Sequence, residues 1–258
     1  MCLLVLAWMS HPRYRLVAAG NRDEFHDRAA APLGWWADEP AILAGRDLQA
    51  GGTWMGVSRS GRFGVLTNFR DDEARPPGAS PSRGRLVKDY LRADLEPAAF
   101  VDALGASARE FAGFNLLVGD GLELHYVSNA AEPASRPLPP GVYGLGNHRL
   151  DEPWPKLVRT RERFATALAE AEIAAAGLFD VLADSTPARE AAPAASRLPP
   201  DLELALSAPF VRHAHYGTRC TTIVFIEHGG RTIVFERRFD ASCVQSGATR
   251  VEFAGAGK

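Results

Sequence analysis

The chain has 258 residues, 46% of them hydrophobic and 23% charged, the proportions of a globular protein, which excludes a disordered chain, a collagen-like repeat and a coiled coil. Its 29 basic and 31 acidic side chains nearly cancel, so no overall field draws it to nucleic acid or an anionic membrane, and no Lys/Arg cluster makes a local one. Length alone admits one large domain or two small ones.

The apolar run at residues 3–9 is too short for a membrane span. It has no basic segment before it and no small-residue cleavage site after it, so the expectation is a cytoplasmic protein without stable membrane insertion. Cys2, Cys220 and Cys243 form no CxxC pair and are odd in number, which argues against a disulfide framework and against a structural metal. No cofactor is expected. Lysine occurs only as Lys88, Lys156 and Lys258, a compositional bias that says little about chemistry.

In chain order, residues 3–9 and 14–19 are apolar around the turn signal Ser10-His11-Pro12 and read as a hairpin of buried strands. Residues 42–44, 53–57 and 63–68 are further short strands separated by Gly45, Gly51-Gly52 and Gly61. Residues 71–84 read as a loop. Helical spacing follows at 86–95 and 98–111, then a hairpin at 114–128 around Asp120-Gly121, expected as a type I′ turn. Residues 153–172 form the longest helical pattern, with a second helix through 178–182. Residues 186–200, rich in Pro, Ala and Ser, read as a surface connection, and 220–239 as a hairpin around His228-Gly229-Gly230-Arg231. This order suits a layered α+β fold with antiparallel sheets better than a βαβ crossover.

Cys2 is the first chemical candidate. A small residue after the initiator permits removal of Met1, which leaves a cysteine carrying a thiol and a free α-amine. With an amine pKa of about 7.7 to 8.0 and a thiol pKa of about 8.5, the amine is a competent base for its own side chain. The tetrapeptide Asn21-Arg22-Asp23-Glu24 closes the second strand. A tight hairpin therefore brings Arg22 and Asp23 beside Cys2, the arginine to favour a thiolate and the aspartate to orient the amine. Asn68 and Asn147 lie at strand or loop ends and are candidate oxyanion donors, and Arg219 is a candidate second cation at the start of the late hairpin. Gly51-Gly52-Thr53-Trp54 lacks phosphate-loop spacing and reads as close backbone approach with Trp54 as a pocket wall. Trp35-Trp36 reads as core or lining. His213 and His215, two apart, lack an evident third ligand.

These residues carry a resemblance. Met1-Cys2, Asn21-Arg22-Asp23-Glu24, Gly51-Gly52-Thr53-Trp54, Leu66-Thr67-Asn68-Phe69-Arg70, Ser82-Arg83-Gly84 and Tyr216-Gly217-Thr218-Arg219 occur in the order of the NRDE family, also called the transport and Golgi organisation family. That family resembles the N-terminal nucleophile (Ntn) cysteine hydrolases such as choloylglycine hydrolase and penicillin V acylase. The resemblance implies a four-layer αββα sandwich, here a single domain over residues 1–258. It makes Cys2 the nucleophile, Arg22 and Asp23 its activating pair, Asn68 and Asn147 oxyanion or substrate donors, and Arg219 the late arginine. Those hydrolases space the arginine and aspartate by two residues; here they are adjacent, which leaves Glu24 as an alternative to Asp23.

Two functions compete. In one, an amidohydrolase cleaves a small acylated substrate through Cys2. In the other, a carrier binds a hydrophobic metabolite such as haem, a lipid or an acyl-CoA, in line with the roles in lipid metabolism and haem trafficking that the resemblance implies. Haem would take Cys2, His148, His213 or His215 as axial ligand. A nucleophile with its own base and a neighbouring arginine is more than passive binding requires, which favours the hydrolase.

Overall fold

In the computed structural model, which describes residues 2–70, 80–131, 134–170, 172–188 and 198–255, the first two apolar runs form the expected hairpin. β1 (Cys2–Trp8) and β2 (Tyr14–Phe25) are antiparallel, and β2 runs on through the whole Asn21-Arg22-Asp23-Glu24 segment. Next come β3 (Ala30–Trp35), β4 (Ile42–Asp47), β5 (Met55–Ser58) and β6 (Phe63–Asn68), then helices α1 (Gly84–Arg92) and α2 (Pro97–Leu104). Strands return as β7 (Phe114–Gly119), β8 (Leu124–Ser128), β9 (Ser135–Pro137) and β10 (Gly141–Leu145). Helices α3 (Pro155–Leu168), α4 (Ala175–Leu182) and α5 (Pro200–Leu206) precede β11 (Tyr216–Glu227), β12 (Arg231–Phe239) and β13 (Gln245–Ala254).

The strands make two antiparallel sheets. One is six-stranded in the order β10-β1-β2-β11-β12-β13, and the other is seven-stranded and runs β3 to β9 in sequence order. Strand periodicity explains the stacking. On β1, Leu4, Leu6 and Trp8 face the second sheet and pack with Met55, Val57, Phe63 and Val65, while Leu3, Val5 and Ala7 face the helices and meet Leu157, Phe164, Leu178 and Phe179 of α3 and α4. On the far side Ile42, Ala44, Leu116 and Val118 of the second sheet pack against Leu86, Val87, Tyr90 and Leu91 of α1. The result is the αββα sandwich. The central strands are buried on both faces, which is why β1 reads as a continuous apolar run rather than an alternating one, and each buried large side chain contributes about 1.5 to 3 kcal/mol.

Several local expectations need correction. The helix expected over 98–111 stops at Gly105, whose φ of 37° breaks it, and a 3-10 segment (Gly105–Glu110) continues. The 153–172 pattern is helical only over Pro155–Leu168. Asp120-Gly121 turns the hairpin but not as type I′, since only Gly121 has a positive φ, at 101°. The Asp120 carboxylate instead accepts the backbone N–H groups of Leu122 and Glu123 at 3.0 and 3.4 Å. In the expected loop at 71–84, residues 71–79 lie outside the described residues, as do 189–197 in the expected connection. No helix among the described residues is long and apolar enough to cross a membrane.

Candidate active site

The hairpin sets Cys2 opposite Arg22 in register, and Cys220 of β11 flanks Arg22 on its other side. At this end of the sandwich lies a cavity of about 460 Å³, lined by Cys2, Arg22, Asp23, Glu24, Trp54 and Asn68. Six of the residues singled out in the sequence therefore share one wall system. Cys2 keeps part of its surface open to the cavity while its thiol sits deep among protein atoms. Burial pushes the thiol pKa up, outweighing the amino terminus and Arg22, which pull it down.

Arg22 is buried and points to the space between the sheets, as Leu16 and Ala18 do from the same strand. Its guanidinium lies over the Trp54 ring, 4.6 Å from the centroid, with Nη2 3.6 Å from Asp47 and 3.9 Å from Glu24. Nη1 is buried with no hydrogen-bond partner among the described residues. Trp54 can lie there only because residue 45 is glycine: a Cβ on Gly45 would stand 2.5 Å from the ring. Arg28 completes the network at 2.7 Å from Asp47. Burial works against ionised Asp47, yet Arg28 and the backbone N–H groups of Ala50 and Gln49 hold its pKa below the usual range.

Asp23 is one residue further along β2 and turns the other way, toward the helices. It is buried, and Oδ1 accepts the Thr218 hydroxyl at 2.7 Å while its backbone carbonyl accepts the Tyr216 hydroxyl at 2.6 Å. Burial raises its pKa against the lowering pulls of the amino terminus, Lys156 and Thr218. Lys156, on the inner face of α3, is fully buried; Nζ donates to the Leu206 carbonyl at 2.7 Å and sits 4.4 Å from the centroid of Trp154. Burial lowers the Lys156 pKa to about 8, with Asp23 the strongest opposing pull and Cys2 the next.

The glycines of Gly51-Gly52 and Ser82-Arg83-Gly84 meet. A Cβ on Gly52 would lie 2.4 Å from the Gly84 backbone, and the Thr53 N–H donates to the Gly84 carbonyl at 3.1 Å. This contact seats the start of α1 against the cavity, where Arg83 forms part of the lining and donates to the Gly113 carbonyl at 3.0 Å. Arg28, Asp47 and Arg83 line the cavity and were not singled out by sequence reading. Only the Ser82-Arg83-Gly84 match pointed toward one of them.

Asn147 and Arg219 are placed elsewhere. Asn147 is buried and does not line this cavity; its Nδ2 donates to the Asn68 backbone carbonyl at 2.7 Å and so fixes the end of β6. Arg219 sits in an irregularity of the β2–β11 ladder between Thr218 and Cys220 and lines an adjoining cavity. None of the candidate haem ligands His148, His213 and His215 lines the Cys2 cavity. His148 packs edge-on against Phe69 and Trp154, and His213 Nε2 is 3.1 Å from Asp201. Trp36 is core, donating Nε1–H to the Ala44 carbonyl at 3.1 Å.

Two antiparallel sheets between helical layers, with a cysteine heading an inner strand at a cavity, are the architecture of the Ntn hydrolases. The chain superposes on penicillin V acylase from Agrobacterium tumefaciens with a TM-score of 0.50 at 12% identity, covering 98% of this chain and 92% of that one. Against a mutant conjugated bile acid hydrolase from Clostridium perfringens the TM-score is 0.55 at 10% identity, covering 97% and 92%. At those identities the likeness is one of fold. Within that fold the chain belongs to the Transport and Golgi organisation 2 family, which it matches over residues 1–241. It is 31% identical over 258 residues to the Transport and Golgi organization 2 homolog of Mus musculus, spanning 92% of both chains.

Proposed function

We propose that the protein is an N-terminal-cysteine amidohydrolase acting on a small acylated amide in the cytoplasm after removal of Met1. The observation that carries this reading is the in-register pairing of Cys2 with Arg22 at the mouth of a polar cavity that Asp23 and Asn68 also line. A thiol whose pKa is raised by burial needs a base; the Cys2 α-amine freed by loss of Met1 supplies it, with Asp23 to orient it. The amine takes the Sγ proton as Sγ attacks the amide carbonyl. The oxyanion receives the side-chain amide of Asn68, and Arg22 steadies the sulfur. Collapse breaks the C–N bond, the ammonium returns its proton to the leaving amine, and a thioester remains. Water, deprotonated by the same amine, then releases the acid and restores the thiol.

The alternative, a carrier of a hydrophobic metabolite, fits less well: the cavity presents Arg22, Arg28, Arg83, Glu24 and Asp47, a lining that favours a polar ligand over haem. Intact mass of the protein from its native host, then turnover of a panel of N-acyl amides by wild type and Cys2→Ala, tests the proposal. Loss of Met1 and turnover abolished by Cys2→Ala are expected. Quantitative retention of Met1, or turnover that survives Cys2→Ala, overturns it. Stoichiometric haem or acyl-CoA binding without turnover favours the carrier.

A further inference from the structure

Beyond Arg22 lies a second cavity of about 270 Å³, lined by Arg22, His26, Arg28, Arg219, Glu236 and Arg238 among others. We propose that it binds an anionic oxygen group, a carboxylate or a phosphate, carried by the substrate, with Arg219 as the principal ligand. Speaking of a substrate rests on the hydrolase reading; the anion site itself does not.

The charge balance carries the argument. Arg22 and Arg28 are matched by Glu24 and Asp47, and Arg238 lies 3.4 Å from Glu236 and 2.9 Å from the Thr249 hydroxyl. Arg219 has no carboxylate partner among the described residues. Its hydrogen bond goes to His26 Nδ1 at 3.2 Å. The other ring nitrogen of His26, Nε2, is 2.9 Å from the His213 carbonyl, an acceptor, so Nε2 carries the proton and Nδ1 offers only a lone pair. Arg219 therefore keeps most of its five N–H donors unspent at a cavity wall. Arg22 adds the buried Nη1, which has no hydrogen-bond partner among the described residues, and burial raises the pKa of Glu236, weakening the acid in this lining.

The ladder irregularity is what directs Arg219 here. In a regular β11 Thr218 would share a face with Cys220, Thr222 and Val224, toward the other sheet. The irregularity between Thr218 and Cys220 turns the Thr218 hydroxyl to Asp23 on the opposite face and leaves Arg219 as the extra residue. One backbone irregularity thus serves both cavities. Arg22, Arg28 and Trp54 line both, so they form a shared wall. Cys2 and Cys220 are both register partners of Arg22, so two strand spacings, roughly 10 Å, separate the backbone of Cys2 from that of Cys220, the residue after Arg219. A substrate that fits reaches across β2 from Cys2 to the Arg219 cavity, a span on the order of 10 Å.

The test has two arms. In the first, inorganic phosphate is titrated calorimetrically into wild type, Cys2→Ala, Arg219→Gln and Arg219→Lys, with thermal unfolding of each variant as the fold control. Binding is expected in wild type and Cys2→Ala, weaker in Arg219→Lys, and weakened about tenfold or more in Arg219→Gln, the worth of one charge-assisted hydrogen bond. In the second, matched N-acyl amides with and without a carboxylate about 10 Å from the carbonyl are compared. Arg219→Gln is expected to raise KM for the carboxylate-bearing member about tenfold more than for its neutral partner. Absent phosphate binding, or binding unchanged in folded Arg219→Gln, overturns the anion site whatever the amides do. Equal losses on both amides overturn its use by the substrate. Phosphate binding that depends on Arg219, with no amide turned over, refutes the hydrolase and leaves the anion site standing.

Discussion

Lys156 and Asp23 are two buried charges that attract each other near Cys2, and removing either has a predictable effect. The fall of the lysine pKa from 10.5 to about 8 means that, at neutral pH, holding this ammonium inside the protein costs about 3 kcal/mol relative to water, attractions included. Lys156→Met keeps the stem and removes that net cost, which already counts the attraction to Asp23, but it leaves the Leu206 carbonyl without its donor at about 1 to 3 kcal/mol. At pH 7 that variant is therefore expected to be more stable than wild type by about 0 to 2 kcal/mol, whereas Asp23→Asn takes from Lys156 its strongest attraction and is expected to destabilise. The double variant Lys156→Met/Asp23→Asn removes both charges and should be more stable than the singles predict, with a coupling of about 2 to 3 kcal/mol in a urea-unfolding cycle at pH 7. A coupling under about 0.5 kcal/mol refutes the pairing.

The same lysine has a pH signature. Because its folded pKa is depressed, the unfolded chain holds a proton between pH 8 and 10.5 that the folded chain has lost, so wild type gains stability relative to Lys156→Met as pH rises through that window. Below pH 8 both states are protonated and the gap is level. Wild type that gains nothing, or loses, relative to Lys156→Met from pH 8 to 10.5 contradicts the burial argument.

Three further outcomes follow from contacts at the site. Gly52→Ala drives a Cβ to 2.4 Å from the Gly84 backbone, so it should lower thermal stability by about 1 to 3 kcal/mol and, by displacing Arg83, reduce turnover beyond any loss of folded protein. Asn147→Ala removes the donor to the Asn68 carbonyl and should cost about 1 kcal/mol in urea unfolding, with a smaller fall in kcat than the roughly hundredfold or greater loss expected of Asn68→Ala. Thr218→Val removes both the hydroxyl given to Asp23 and the acceptor of the Val211 N–H at 2.9 Å, and should destabilise by about 1 to 3 kcal/mol, measured by the same unfolding assay.

The parts legible in the sequence are those governed by local rules. The opening hairpin could be read because two apolar runs flank a Pro-containing turn, and its shortness alone implied that Arg22 would face Cys2, as it does. The strands that escaped notice owe their form to their neighbours. β3 contains Pro32 and Gly34, β13 alternates exposed and half-buried residues at a sheet edge, and β9 is three residues long, so none carries a strong pattern of its own. Arg28 and Asp47 meet across 19 positions of sequence, and Arg83 reaches the cavity through a glycine contact between distant segments, which no single-segment rule exposes. Lys156 did leave a signal: it stands in phase with Thr160 and Phe164 on the buried face of α3, where a lysine is out of place unless an acid waits opposite. Arg219 and Asn147 carried the right residue types, but an irregular ladder and a backbone carbonyl decided where they act.

The adjacency of Arg22 and Asp23 acquires a physical meaning from the strand that carries them. Residues two apart on β2 would share a face, and an arginine and an aspartate there would neutralise each other. Residues one apart point to opposite faces, so Arg22 joins Trp54, Glu24 and Asp47 between the sheets while Asp23 joins Thr218 and Lys156 under the helices. No Arg22–Asp23 ion pair occurs among the described residues. Glu24 shares the face of Arg22 and lies 3.7 Å from Arg28, which ties it to the guanidiniums, so the proposed mechanism takes Asp23 as the carboxylate for the amine. On the proposed mechanism Asp23→Asn should therefore depress kcat and move the pH dependence of kcat/KM, since the amine loses its orienting charge. Glu24→Gln frees positive charge beside the cavity and should act chiefly on KM with the pH profile in place. Assays of both variants across pH 6 to 9, bracketing an amine pKa of about 7.7 to 8.0, separate the roles, and a pH profile displaced by Glu24→Gln but not by Asp23→Asn would reverse the assignment.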